Sequence, residues 1–178
     1  AESLLADARL PNGIRSSAAA YLGAVRHTGS VERLTAAARD EDKSVSAQCI
    51  LSLGLIGGPD AGSNLMALAR APSNEDLRKK ALAQLGRVKI PEADAYLKSL
   101  VADGKLEALQ AFVDANREDL FAYYQGLLAT TNTALRSAAI HGLADGPPEQ
   151  ALSALMDLLA SQPVSDAPKP PVPSAVVQ

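Results

Sequence analysis

The stretch DKSVSAQCILSLGLIGGPDAGSNLMALARA, residues 42–71, decides the architecture. Its first half carries Val45, Cys49, Ile50, Leu53 and Ile56 at helical spacing, which makes one apolar stripe. Asp42 stands just before Lys43 and Ser44, where a carboxylate can accept from the free N–H groups of a helix's first turn. Gly57, Gly58 and Pro59 end that helix, and the proline is suited to open the next one because a first-turn N–H needs no partner. The second half places Leu65 and Leu68 on one face of a second helix. The stretch reads as a helical hairpin joined by a short turn.

The hairpin recurs. Ile14, Val45, Leu77, Leu106 and Leu135 open segments at spacings of 31, 32, 29 and 29. Nine residues after each anchor comes a small residue: Gly23, Gly54, Gly86, Ala115 and Ala144. Twenty residues after four anchors comes a leucine: Leu34, Leu65, Leu97 and Leu155. Asp42, Asn74, Asp103 and Asn132 precede their anchors by three residues as expected N-caps, and Pro91 and Pro148 recur near the place of Pro59. A fixed period of this length marks a stacked array, in which each unit buries its apolar face against its neighbours. Glycine inside a helix costs about 1 kcal/mol relative to alanine, so its return at 23, 54 and 86 predicts close approach between helices. No segment alternates apolar and polar residues as a half-buried strand would. The expected fold is all-α, a solenoid of about five stacked hairpins with a proline-rich tail.

The organisation follows. Residues 1–161 form the solenoid, with a partial repeat at 1–10 and repeats at 12–41, 42–73, 74–102, 103–130 and 132–161. Leu5 lies nine residues before Ile14, as Leu68 lies nine before Leu77, so the chain begins inside a repeat. A processed exported chain and a piece of a longer polypeptide both fit an Ala at position 1. Residues 162–178 hold Pro168, Pro170, Pro171 and Pro173 and favour polyproline II at roughly 3.1 Å per residue. Such a segment serves as a linker or as a strap along the stack.

The strings NEDLRKKALAQLG (74–86) and SVSAQCILSLGLIG (44–57) resemble the first helix of the HEAT-repeat family, in its short bacterial form related to bilin-lyase-type repeats. The family often places Arg after the apolar anchor; Arg15, Arg78 and Arg136 fit, whereas Ser46 and Glu107 do not. The resemblance spans roughly residues 12–161. It implies that these arginines tie adjacent units through carboxylates or helix ends, and that the second helices line a concave surface used for partners. The solvent-facing residues expected there are Arg33, Asn64, Lys98, Tyr123, Tyr124, Gln125 and Ser153.

The net charge of −3 and pI near 5.4 argue against an electrostatic hold on nucleic acid. No apolar run is long enough to suggest a membrane span. Cys49 shares a column with Ala18, Ala81, Gln110 and Ala139 that is mostly small and expected to be buried, and it reads as packing. His27 falls in a turn and His141 on a first helix; two distant histidines and one cysteine make no metal site. No residue is assigned a catalytic, cofactor-binding or metal-ligating role.

The fourth repeat departs most. Counted from Leu106, Asp114 falls in a leucine column and Gly126 replaces the second-helix leucine. Phe112, Phe121, Tyr123 and Tyr124 cluster there, four of the chain's six aromatics. Either the rings fill an irregular hairpin, or they anchor a partner. The expected function is a non-catalytic protein-binding scaffold or assembly subunit in a larger complex, with Phe121, Tyr123, Tyr124 and Gln125 as anchors. The alternative is a bilin-lyase-like protein handling a small ligand in its groove.

Overall fold

The computed structural model describes residues 1–71 and 74–161. Among them are eleven α-helices and no strand. A short α1 (Glu2–Ala6) precedes five hairpins: α2 (Asn12–Ala24) with α3 (Val31–Ala37), α4 (Lys43–Ile56) with α5 (Gly58–Ala69), α6 (Glu75–Leu85) with α7 (Pro91–Ala102), α8 (Leu106–Asp114) with α9 (Phe121–Leu127), and α10 (Thr133–Ala144) with α11 (Pro148–Ser161). The first helices α2, α4, α6, α8 and α10 stack in sequence, and α1, α3, α5 and α7 form a second layer beside them. The protein is an all-α solenoid. The tail prolines Pro168, Pro170, Pro171 and Pro173 lie outside the described residues.

Local chemistry starts these helices where the composition places it. The Asp42 carboxylate accepts from the backbone N–H of Ser44 at 2.9 Å and of Val45 at 3.0 Å. The Asn74 side chain accepts from Leu77 N–H at 3.0 Å, and that of Asn132 accepts from Ala134 and Leu135. Pro59, Pro91 and Pro148 each occupy the first turn of a second helix. Asp103 does not cap. It ends α7, and Gly104, at φ +80°, turns the chain before α8 begins.

That turn shifts the fourth repeat. Leu106, expected as a buried anchor, is 38% exposed. Counted from Gly104 instead, the two buried leucine columns fall into place. Phe112 takes the buried column of Leu22, Leu53, Leu85 and Leu143, and Tyr124 takes that of Leu34, Leu65 and Leu97. The turn agrees: Arg26, Gly57 and Asn116 share one column, and all three have positive φ, at +50°, +66° and +49°. Asp114 and Gly126 therefore do not replace leucines, because both leucine places are filled by aromatic rings. Ile14 is also exposed, at 45%, because no first helix precedes α2 among the described residues.

The glycines mark the seams between first helices. A Cβ on Gly23 would lie 2.7 Å from the Cβ of Ser52 in α4, and one on Gly54 would lie 2.9 Å from the Cβ of Gln84 in α6. On Gly86 it would meet the backbone of α8, 2.5 Å from the Ala111 carbonyl carbon. Each glycine thus abuts the same column of the next first helix. Cβ-free backbone lets neighbouring helices close the gap that a side chain would hold open.

The arginine column behaves less uniformly than the resemblance implies. Arg15 pairs with Asp40 and donates to the carbonyl of Leu5 at 3.2 Å, joining α2 to α1. Arg78 bridges Glu75 in its own helix and Glu107 at the start of α8. Arg136 has no side-chain partner among the described residues.

Candidate interaction surface

Second-helix side chains define the surface, and their positions follow from the repeat columns. Arg33, Asn64, Tyr96 and Tyr123 occupy equivalent places on α3, α5, α7 and α9, with Lys98 and Gln125 two residues further on. Two of these places are joined to the preceding helix in the same way. The Arg70 guanidinium, at the end of α5, sits 4.7 Å from the centre of the Tyr96 ring. Lys98 Nζ, on α7, sits 5.1 Å from the centre of the Tyr123 ring. A cation within about 6 Å of a ring face is attracted by the ring's quadrupole while keeping its charge available to solvent. A cation–tyrosine ladder therefore steps from α5 to α7 to α9.

The sites read from sequence sort into distinct positions. Arg33 is exposed and pairs with Glu2 of α1. Asn64 is half-buried and donates to the Asp60 carbonyl at 2.9 Å. Lys98 and Tyr123 are brought together, and Gln125 and Ser153 face solvent. Phe121 is half-buried, its ring where a Cβ on Gly146 would otherwise stand. Tyr124 is a correction. It is not on the surface but 1% exposed, with its ring packed where a Cβ on Gly142 would come within 2.9 Å. The leucine column directs Tyr124 inward, and burial raises its phenol pKa well above the usual tyrosine range. Tyr123 also rises through burial, because Phe112 meets it edge-on at 6.2 Å. Tyr96 and Arg70 were missed, although the column shared with Asn64 was legible in the sequence.

Beside the ladder lies a cleft of about 470 Å³, lined by Lys89, Ile90, Pro91, Asp94, Ala95, Lys98, Arg117 and Asp119. Its floor is held by Arg117, which is only 2% exposed. Arg117 donates to both oxygens of Asp94, at 2.9 and 2.7 Å, and to both of Asp119, at 2.8 and 2.7 Å. It also donates to the carbonyl of Gly86 at 3.2 Å, and it lies 5.6 Å from the Phe112 ring centre. This planar fork satisfies two carboxylates at once, and the Asp119 carboxyl is held below its usual range by the Arg117 hydrogen bond. Arg117 ties the α8–α9 turn to α7 and to the end of α6. Sequence reading missed it because counting from Leu106 hid its equivalence to His27. His27 follows the same left-handed residue in repeat 1, where its ring contacts Ser30 Oγ at 2.6 Å.

A second cleft of about 390 Å³ opens between the α3 and α5 starts, lined by Thr28, Gly29, Val31, Glu32, Asp60, Ser63 and Asn64. Cys49 lies in the core, and burial pushes its thiol up to about 12. Among the described residues no group of three or more His, Cys, Asp or Glu side chains is placed to hold a metal ion. None of the described helices is long and apolar enough to cross a membrane.

Stacked antiparallel helix pairs sharing one core define an α-solenoid. A family model for HEAT repeats matches residues 4–86, which supports a HEAT-repeat family for this array. No curated protein matches the chain. Members of this family generally mediate protein–protein contacts or scaffolding.

Proposed function

We propose that the chain is a non-catalytic protein-binding scaffold or assembly subunit whose docking surface is the second-helix face from α3 to α9. The cation–tyrosine ladder of Arg70, Tyr96, Lys98 and Tyr123 carries this reading. Each rung offers partly exposed aromatic area beside a positive charge that no carboxylate neutralises at contact distance among the described residues. Rigid rings lose little conformational entropy on contact, which suits them as interface anchors. The proposed contact set is Tyr123, Gln125, Lys98, Arg33 and Asn64, together with the half-buried Phe121. The tail prolines 168, 170, 171 and 173 are a proposed second contact element.

The test is cross-linking mass spectrometry on the full chain in its native source, with a Lys98→Glu, Tyr123→Ala variant in parallel. Cross-links to another protein should cluster at α5, α7 and α9 and fall several-fold in the variant at unchanged helicity. Partner cross-links confined to α2, α4, α6 and α8, or absent altogether, would overturn the reading. Tyr124 is left intact, because its loss would unfold the repeat instead of reporting on the surface.

A further inference from the structure

We infer that the groove holds an extended protein segment bearing one basic and one acidic side chain about six residues apart. The basic side chain lies against Glu32 and Asp60, and the acidic one between Lys89 and Lys98. The inference rests on the protein-binding reading above and names the chemistry of the partner.

Two clefts of similar size sit at the turn edge of the second-helix layer, and their charges are opposite. The only charged side chains lining the first are Glu32 and Asp60, both exposed and in no ion pair among the described residues. The second carries Lys89, Lys98 and Arg117 against Asp94 and Asp119. Both of its carboxylates are engaged by Arg117, so what it presents outward is two ammonium groups. Lys89 lies 3.9 Å from Asp119 at an exposed site, a contact too weak to hold it back from a ligand carboxylate. Lys98 is oriented by the Tyr123 ring without being neutralised. Arg117 therefore has a role beyond stability. By binding both aspartates it leaves the cleft with a net positive charge.

The spacing follows from the stack. One cleft lies between α3 and α5, the other between α7 and the turn before α9. Packed helices stand about 8–10 Å apart, so two steps separate the clefts by roughly 16–20 Å. An extended chain rises about 3.3 Å per residue and covers that span in about six residues. Cleft volumes of about 390 and 470 Å³ accommodate one or two side chains each.

The probe is a fluorescent peptide with one lysine and one glutamate six positions apart in a Ser/Thr background, measured by anisotropy on the full chain. Controls carry two lysines, two glutamates, or the dipolar pair separated by two positions. The six-spaced dipolar peptide should bind at least tenfold more tightly than any control, and binding should weaken as salt is raised. Lys98→Glu should cost it at least tenfold and shift preference to the two-lysine peptide; Glu32→Lys, which leaves the first cleft with no net charge beside Asp60, should erase its preference over the two-glutamate peptide. Both positions are surface sites, and a thermal melt checks that each variant stays folded. Equal binding of all four peptides, no binding, or indifference to both charge reversals would overturn the inference. If native cross-linking still places a partner on α5, α7 and α9 after such a failure, the protein-binding reading survives and only the charge pattern falls. If no partner is found there, both fall.

Discussion

Repeats 2 and 4 use the same columns and fill them differently. In repeat 2 the two central positions are Leu53 and Leu65, and the seam ahead of them is opened by Gly54. In repeat 4 the same positions hold Phe112 and Tyr124, and space is recovered across the next seam by Gly142 and Gly146. Repeat 2 turns through Gly57 and Gly58 and needs no side chain to hold its turn. Repeat 4 turns through Asn116 and pins the result with Arg117, buried between two aspartates. The difference teaches that a solenoid column prescribes burial and direction, while residue volume can be traded with the facing helix. It also shows how a polar tether can stand where glycine would otherwise set the turn.

The sharpest way to break the comparison is Tyr124→Ala. A ring lost from the centre of repeat 4 leaves a cavity, and urea unfolding should show about 4 kcal/mol of destabilisation. Tyr124→Phe should instead be neutral or mildly stabilising, since the hydroxyl is buried without a partner among the described residues. A clear loss in the Phe variant would mean that the hydroxyl is hydrogen-bonded after all.

Arg117→Ala comes next, at about 3 kcal/mol. It strands Asp94 and Asp119 beside each other and frees the Gly86 carbonyl, although both aspartates keep some contact with water. The equivalent change in repeat 1, His27→Ala, should remain within about 0.5 kcal/mol, because that side chain is exposed. Similar values for the two would dissolve the contrast between the turns.

Gly86→Ala should cost about 2 kcal/mol, the seam clash outweighing the gain in helix propensity. Its new methyl meets backbone, which cannot swing aside. Gly54→Ala should cost less, because much of what it meets is the flexible Gln84 side chain. Equal losses, measured by thermal unfolding, would show that the stack slides as a unit.

The smallest expected effect is in acid. Asp119 has its carboxyl pKa lowered by Arg117 in the folded state, below the ordinary value of 3.8. A lowered folded value means stability is present above the unfolded pKa and is lost as pH falls through the folded one. The wild type should therefore lose stability below about pH 4, and Asp119→Asn should flatten part of that limb. An unchanged limb in circular-dichroism titration would assign acid sensitivity elsewhere, with Asp40 beside Arg15 the next group to examine.

Most of the architecture was legible because helical period, N-caps and prolines are local signals. Asp42, Asn74 and Asn132 cap as their chemistry dictates, and the glycines at 23, 54 and 86 do mark close approach. Repeat 4 misled because Leu106 is apolar and near the right spacing, while the column origin is Gly104, which has no side chain to announce it. The candidate surface was legible only in part. Lys98 and Tyr123 were named individually, but their contact, and its counterpart between Arg70 and Tyr96, belongs to neighbouring helices. Tyr124 was placed outside because an aromatic next to another aromatic carries no sign of which one faces in.

By itself the amino-acid order determined a ribbon of helical hairpins, where each begins and turns, and which small residues let the rods touch. Those are choices made within one or two turns of chain. Only the packed structure decided that Tyr124 is core, that Arg117 joins two aspartates from different hairpins, and that the two clefts differ in sign. Such features depend on side chains from separate repeats meeting in space, and a shift of two residues in one turn is enough to change which ones meet.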